Sequence, residues 1–380
     1  MTGIPHVVLD CTAIPANHGG VARYVDGLLR ALDPAQIRLT LTVQRRDRET
    51  VRQLVPWAKI HSLPPFFVGR PVRFAWEQIG LPWFARRVAA DVVHSPHYTF
   101  PLLWTGGRVV TLHDATFFSD PQVHRPIKRF FFQTWIRLAW RRADAVVTPS
   151  VATASEVERF LGPPDALLEV APLGVNGGRF HPPTEQQLAG FRKDLDLAEG
   201  AHWFAFLGTI EPRKNMVALL DAYAGLRREF GEDTPQLLVS GGRGWDKQAL
   251  ARLDSLGENS GVHELGYLPM ASLPALLGGS VAVMYPSLGE GFGLPVLEAM
   301  SCGAAVITTN RLAIPEVGGD AVRYTDVDAD SIRDAMRELH LDENERVRFS
   351  ELAVRRASFF SWHATAASHI TAYRSVLKRR

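Results

Sequence analysis

The sequence is poor in cysteine: Cys11 and Cys302 are the only two in 380 residues. That is too few for a disulfide framework and suits a reducing cytosol. Long apolar runs are scarce as well. The longest uncharged stretch lies between Glu264 and Glu290, and Pro269, Pro274, Gly278, Gly279 and Pro286 break it into helix, strand and loop lengths. No membrane span is expected, and the first residues lack the basic start and apolar run of a secretory leader. Nor does one sign of charge dominate. Forty-two basic and 40 acidic residues leave +2, so no global field marks a nucleic-acid binder. Several catalytic signatures are missing: no Gly-Lys dipeptide for a P-loop, no G-x-S-x-G elbow, no H-E-x-x-H pattern. A dinucleotide fingerprint after the first apolar run is absent too, and the GGRG at 241–244 lacks its spacing.

What is present is ordinary globular composition, 46% hydrophobic and 22% charged, in a chain long enough for two or three domains. Short apolar runs alternate with helix-length amphipathic segments, the pattern of parallel α/β sheets. In the first half, strands are expected at 6–11, 38–43, 91–95, 108–113, 144–150 and 167–172, with helices near 20–32, 72–89, 126–142 and 151–161. The Gly- and Pro-rich stretch 173–186 reads as a linker. After it the alternation restarts with HWFAFLG, QLLVSG, VHELG, VAVMYPS and AAVITT. The expected fold is α/β, two Rossmann-like doubly wound domains facing across a cleft, about 1–175 and 184–362. Residues 1–180 carry 21 basic and 14 acidic residues, for +7, while the rest carry 21 and 26, for −5. An anionic partner is therefore expected to meet the first half.

In doubly wound sheets, ligands bind outside the carboxyl ends of the strands. The densest such segment is YPSLGEGFGLPVLEAMSCG (285–303). A strand end runs into the loop Gly289–Gly293, and Pro295 falls in the first turn of a helix, where proline is favoured. Glycines permit close backbone approach, and free amides at a helix start hold an anion. Glu290 in the loop and Glu298 in the helix can reach opposite ends of a ligand whose phosphates rest between them. Arg213 and Lys214 follow another strand and suit a diphosphate, arginine as a fork and lysine as a mobile charge. Gly19 and Gly20 join the first strand to its helix, and His113 ends a strand beside Asp114.

These segments resemble the retaining, nucleotide-sugar-dependent glycosyltransferases of the glycogen-synthase-like family 4, which adopt the GT-B fold. Glu290–Met300 matches that family's E-G-F-G-L-P-x-L-E-A-M, with Cys302–Gly303 after it. GTIEPRKN (208–215), LHD (112–114) and HGGVARY (18–24) match its other motifs in order. The resemblance implies a metal-independent hexosyltransferase with no cofactor beyond a nucleoside diphosphate sugar as co-substrate. It implies that Glu298 holds the ribose hydroxyls and Glu290 the sugar hydroxyls, and that His113 contacts the sugar near the reacting carbon. Arg213, Lys214 and the amides of Gly291, Phe292, Gly293 and Leu294 would stabilise the departing diphosphate, with Gly19 and Gly20 beside it. The first-half wording is most like the mannosyltransferase branch, so the expected donor is GDP-mannose and the expected acceptor a glycan or lipid-linked hydroxyl. The segment 358–380 resembles the family's last helix, which crosses back onto the first domain from about residue 363.

Rival readings are a same-fold 2-epimerase, a non-catalytic nucleotide-sugar-binding subunit and a two-Rossmann dehydrogenase. Asp326, Asp328 and Asp330 mimic a calcium loop, yet Ser331 replaces its turn glycine and Arg337 its bidentate glutamate. A solvated loop before a helix is expected there. His94, His97 and His113 lack any zinc spacing, so no metal site is assigned. Basic residues interleave with aromatics in 57–87 and 125–142. Such a surface either lies on anionic lipid or packs its aromatics inside. A cytoplasmic protein, peripheral at the inner face of the cell membrane, is the expectation.

Overall fold

The computed structural model describes residues 3–14, 19–121 and 125–379. Two compact units divide the chain, Met1–Gly174 with Ser361–Arg380, and Val175–Phe360. The segment read as a linker packs with the second unit from Val175 onward, and Thr184 already caps the helix Glu185–Asp194.

In the first unit the strands are β1 (His6–Asp10), β2 (Arg38–Gln44), β3 (Lys59–Leu63), β4 (Val92–Ser95), β5 (Gly107–Thr111), β6 (Ala145–Thr148) and β7 (Leu167–Val170). All pairs are parallel, in the order β3-β2-β1-β4-β5-β6-β7. The second unit holds β8 (Trp203–Leu207), β9 (Gln236–Ser240), β10 (Val262–Gly266), β11 (Ala282–Tyr285), β12 (Val306–Thr309) and β13 (Arg323–Thr325). These too are parallel, ordered β10-β9-β8-β11-β12-β13. Helices cover both faces of such sheets, so β1, β4, β6, β8, β11 and β12 are buried end to end. Winding reverses between β1 and β4 and between β8 and β11. The crevice at the carboxyl ends of those neighbours is where such sheets take ligands.

Two strands depart from the expected set. β3 and β13 are short edge strands with half-exposed residues, so neither carries the apolar run that marks a central strand. The helix expected at 72–89 is also interrupted. It consists of Arg70–Ala75, a π turn at Trp76–Gly80 and Leu81–Arg87.

The helix Pro126–Arg142 turns Trp135, Ile136, Ala139 and Trp140 into the core of the first unit, against Phe100, Val110 and Val146. Its outer face leaves Ile127, Phe130 and Phe131 exposed. One side of the helix thus packs inside while the other stays exposed. The last helix, Trp362–Lys378, belongs to the first unit and presses on Gly174, where a Cβ would stand 2.1 Å from the amide nitrogen of Trp362. No helix among the described residues is long and apolar enough to cross a membrane.

Candidate functional site

In the second unit the decisive loops follow β8 and β11, the two strands at the switch point. Glycines let the loop after β8 lie close to its neighbour. A Cβ at Gly241 would stand 2.1 Å from the carbonyl oxygen of Gly208, and one at Gly244 would stand 2.3 Å from that of Ile210. The GGRG stretch is thus a backing for residues 208–210, the approach to Arg213 and Lys214. Asn215 then takes a left-handed φ of 56° and starts the helix Met216–Phe230.

Arg213 and Lys214 are not a solvated pair. Lys214 is buried, and its Nζ lies 2.6 Å from Glu290 Oε1. Arg213 pairs with Glu290 through Nη1 and with Glu211 through Nε at 2.5 Å. The two loops are stitched by their backbones as well: the Leu288 amide donates to the Arg213 carbonyl at 2.7 Å, and Ser287 Oγ lies 2.9 Å from the same oxygen. Three groups that motif reading missed complete the cluster. Tyr285 Oη donates to Glu290 Oε1 at 2.9 Å and accepts from Lys214, Ser287 Oγ donates to Glu290 Oε1 at 2.7 Å, and Glu211 braces Arg213. Their signal was adjacency alone: Tyr285 and Ser287 open the glycine-rich segment, and Glu211 sits two residues before Arg213.

Burial by itself would raise the Glu290 carboxyl, but Arg213 and then Lys214 outweigh it and hold it at about 2. Burial, followed by Arg213, depresses the Lys214 ammonium, against the pull of Glu290 and Glu211. The result is a pre-set ionic cluster with two cations at a switch point.

The helix Leu294–Ser301 follows at once. Gly293 caps it at φ +97°, a conformation that favours glycine, and as a glycine offers no side-chain cap. Pro295 lies in the first turn. Glu298 is 2% exposed within this helix, and beside it burial, with Glu298 second, pushes the Cys302 thiol up to about 12. Phe292 is buried too, its ring edge-on to Phe360 at 5.9 Å, so its side chain serves packing. Gly291 and Leu294 flank it on the same turn into the helix. The aspartate run does not resemble an ion site: Asp328 Oδ1 accepts from the Ser331 amide at 2.9 Å and caps the helix Ala329–Leu341.

In the first unit, Gly19 and Gly20 begin the helix Gly20–Ala31. A Cβ at Gly20 would meet nothing within 4 Å, and the residue is helical. Among the described residues, neither packing nor backbone strain calls for glycine at position 20. His18 of the same motif lies outside the described residues. His113 follows β5, with Nε2 2.7 Å from the Pro96 carbonyl oxygen. A carbonyl only accepts, so Nε2 carries the proton and Nδ1 presents the lone pair. Burial holds His113 below the usual histidine range, which Pro96 and Asp114 partly oppose. Asp114 Oδ1 accepts from the Thr116 amide and hydroxyl, turning the chain into the next helix. His94 is bound to Tyr373 and Thr111, and the His97 ring stacks edge-on with Tyr98 and Phe132.

Residues 18–179 match Glycosyltransferase Family 4, and residues 190–356 match Glycosyl transferases group 1. The chain is 31% identical over 294 residues to the O-antigen chain mannosyltransferase B of Escherichia coli, covering 77% of this chain and 76% of that protein. The chain belongs to glycosyltransferase family 4. Among solved structures, a sucrose-phosphate synthase from Thermosynechococcus elongatus superposes with a TM-score of 0.77 at 19% identity, over 99% of this chain and all of that one. Anabaena HepE in complex with UDP-glucose gives 0.73 at 16% identity, over 98% of each chain. These neighbours share the GT-B fold. The glycosyltransferase is thus an α/β enzyme of the mannosyltransferase-like branch, with its Arg213–Lys214–Glu290 cluster inside the group 1 domain.

Proposed function

We propose that this glycosyltransferase moves mannose from GDP-mannose to an acceptor hydroxyl on a lipid-linked or cell-envelope glycan, with retention at the anomeric carbon and without a metal ion. The observation that carries the reading is the ionic cluster of half-buried Arg213 with buried Lys214 and Glu290 at the β8/β11 switch point. A departing nucleoside diphosphate needs positive charge as it forms, and two cations plus the helix amides at Gly291–Leu294 are placed to supply it. Glu298 is assigned to the ribose and Glu290 to the sugar hydroxyls. His113 carries the role that the family resemblance gives it, contact with the sugar near the reacting carbon. Mannose is favoured by the mannosyltransferase relative from Escherichia coli.

The acceptor's setting is read from the first unit. Ile127 is 87% exposed and Phe130 71%, among Arg125, Lys128 and Arg129 on a helix without an acidic residue. The Phe74 ring meets Phe131 edge-on at 5.8 Å, which joins this face to the helix bearing exposed Val72. Exposed aromatics ringed by cations suit an anionic lipid surface, where a lipid-linked acceptor would be found.

A thermal-shift series with GDP, GDP-mannose, UDP and UDP-glucose tests the donor. Binding stabilises by RT ln(1 + [L]/Kd), about 2.7 kcal/mol at a hundredfold excess over Kd. GDP-mannose is expected to shift the melting temperature most, and turnover is expected to survive EDTA. A larger shift with UDP-glucose overturns the donor assignment, and EDTA inactivation reversed by magnesium overturns the metal-free mechanism.

A further inference from the structure

Five side chains form a buried hydrogen-bonded chain in the first unit. His369 and Tyr373 come from the last helix, Tyr24 from the helix Gly20–Ala31, His94 from β4 and Thr111 from β5, all nearly inaccessible to solvent. The contacts are His369 Nδ1 to the Thr365 carbonyl at 2.7 Å, Tyr24 Oη to His369 Nε2 at 2.6 Å and Tyr24 Oη to Thr111 Oγ1 at 2.9 Å. They continue with His94 Nε2 to Thr111 Oγ1 at 2.9 Å and His94 Nδ1 to Tyr373 Oη at 2.8 Å.

One arrangement of protons satisfies this chain. The Thr365 carbonyl cannot donate, so His369 Nδ1 carries a proton, and burial keeps the ring neutral with its pKa at about 4. His369 Nε2 is then an acceptor, and the Tyr24 hydroxyl must donate to it. The Tyr24 oxygen in turn accepts from Thr111, whose own oxygen accepts from His94 Nε2–H. His94, also held neutral by burial, is left with Nδ1 to accept from Tyr373. No hydroxyl in the chain is free to rotate without breaking a buried bond.

Three of the segments around His113 are tied into this chain, and the His97 and Tyr98 rings also meet it, centroids 6.2 and 6.1 Å away. The Tyr24 ring stands edge-on to the His113 ring, centroids 4.9 Å apart at 80°. Thr111 lies two residues before His113 on the same strand end. His94 lies two residues before Pro96, whose carbonyl fixes the His113 tautomer. Tyr24 also sits one helical turn after Gly20, so its hydroxyl sets the position of the helix start as well.

We propose that Tyr24 is a positioning residue for His113 and for the Gly19–Gly20 helix start, held by a proton-ordered relay anchored on His369 of the last helix. The proposal rests on the reading that His113 serves the transfer reaction. The conservative variant Tyr24→Phe keeps the ring and deletes the hydroxyl that orders the relay.

The test pairs kinetics with two-dimensional 1H–15N spectra of the imidazole nitrogens. The wild type should show His369 protonated at Nδ1 and His94 and His113 at Nε2. Tyr24→Phe leaves His369 protonated at Nδ1 against the Thr365 carbonyl, but takes away the acceptor of the Thr111 hydroxyl. It should therefore release His94 from its single tautomer, shift the His113 resonances, lower kcat about tenfold and, through the Gly19–Gly20 helix start, weaken donor binding. Tyr24→Leu, which also loses the ring, should fall further. A wild-type His369 protonated at Nε2 overturns the relay. Tyr24→Phe with native kcat and unmoved His113 signals overturns the positioning role, even if its melting temperature drops. Should Tyr24→Phe not fold, His369→Gln is expected to produce the same kcat loss, and native kcat there overturns the proposal. Absent transferase activity in the wild type defeats the functional reading, while the His113 spectra still decide the positioning claim.

Discussion

Lys214 Nζ lies 2.6 Å from Glu290 Oε1, and each of these side chains keeps less than a tenth of its surface exposed. With Arg213 on the other carboxylate oxygen, Glu290 neutralises the two cations that we propose hold the nucleoside diphosphate. On that proposal, ligand phosphate and Glu290 compete for one positive field.

That competition has a sign that can be measured. Glu290→Gln keeps the shape of the side chain and removes its charge, which frees Lys214 and Arg213 for the ligand. Calorimetry should find GDP bound several-fold more tightly than by the wild type, while kcat falls at least tenfold, about 1.4 kcal/mol of barrier. Weaker GDP binding by Glu290→Gln would place the diphosphate away from this pair.

A second expectation concerns acid and neutral pH. The Glu290 carboxyl is held at about 2 against an ordinary 4.5, so its folded form binds fewer protons than the unfolded chain. Its stabilisation is complete above about 4.5 and is lost as pH falls toward 2. Glu77 behaves oppositely. It is 1% exposed on the π turn, accepts from Thr99 Oγ1 at 2.8 Å and faces Arg73 and Asp10. Burial first and Asp10 second push it up to about 7, which Arg73 and Thr99 only partly oppose. Its cost is absent below about 4.5 and grows as pH rises through 7, on the order of 3 kcal/mol for a shift of that size. Melting curves from pH 4 to 8 should therefore flatten on the neutral side in Glu77→Gln. An unchanged slope would show that Glu77 is charged in the fold at neutral pH.

Much of this site was legible because its residues sit on strand ends that apolar patterning reveals. β8 and β11 are continuous buried runs, so Arg213, Lys214 and Glu290 could be placed at loops after central strands. What patterning could not reach is pairing across sequence. Glu290 is 77 residues from Arg213, and nothing local indicates that the carboxylate closes on both cations rather than waiting for sugar. Tyr285 was equally hidden, read as a strand terminus when its hydroxyl completes the cluster. β3 and β13 escaped because edge strands are short and half-exposed, and the π turn escaped because its extra residue interrupts a helical period without a local marker.

The exposed face of Pro126–Arg142 gives a third expectation. Cosedimentation with vesicles rich in anionic lipid should be strong at low salt and decline as salt rises, since the Debye length shrinks from about 30 Å at 0.01 M to about 10 Å at 0.1 M. Ile127→Ser with Phe130→Ser should weaken it without changing the fold, because both side chains are exposed. Equal binding to neutral vesicles, or none to either kind, would leave this face as ordinary surface.

The last expectation separates the two glutamates of the glycine-rich segment. Glu298 is buried in the helix Leu294–Ser301, eight residues beyond Glu290, and is assigned to the ribose. Ribose lies far from the reacting carbon, so its contacts change little between ground and transition state. Losing them removes uniform binding, which raises KM and leaves kcat nearly intact. Glu298→Gln should therefore raise the donor KM and weaken GDP in calorimetry. A hydrogen bond to a charged group is worth about 1.5–3 kcal/mol, which sets the expected loss at tenfold or more. Glu290→Gln should do the reverse on both axes, with kcat down and GDP affinity up, because it acts where charge develops on the sugar and competes with the phosphates. The split requires that KM track donor affinity, which holds when chemistry is slow relative to donor release, and the calorimetric arm measures affinity directly. If Glu298→Gln loses only kcat while Glu290→Gln loses GDP affinity, the donor lies in the opposite orientation along the helix start. The ribose and sugar assignments would then exchange places.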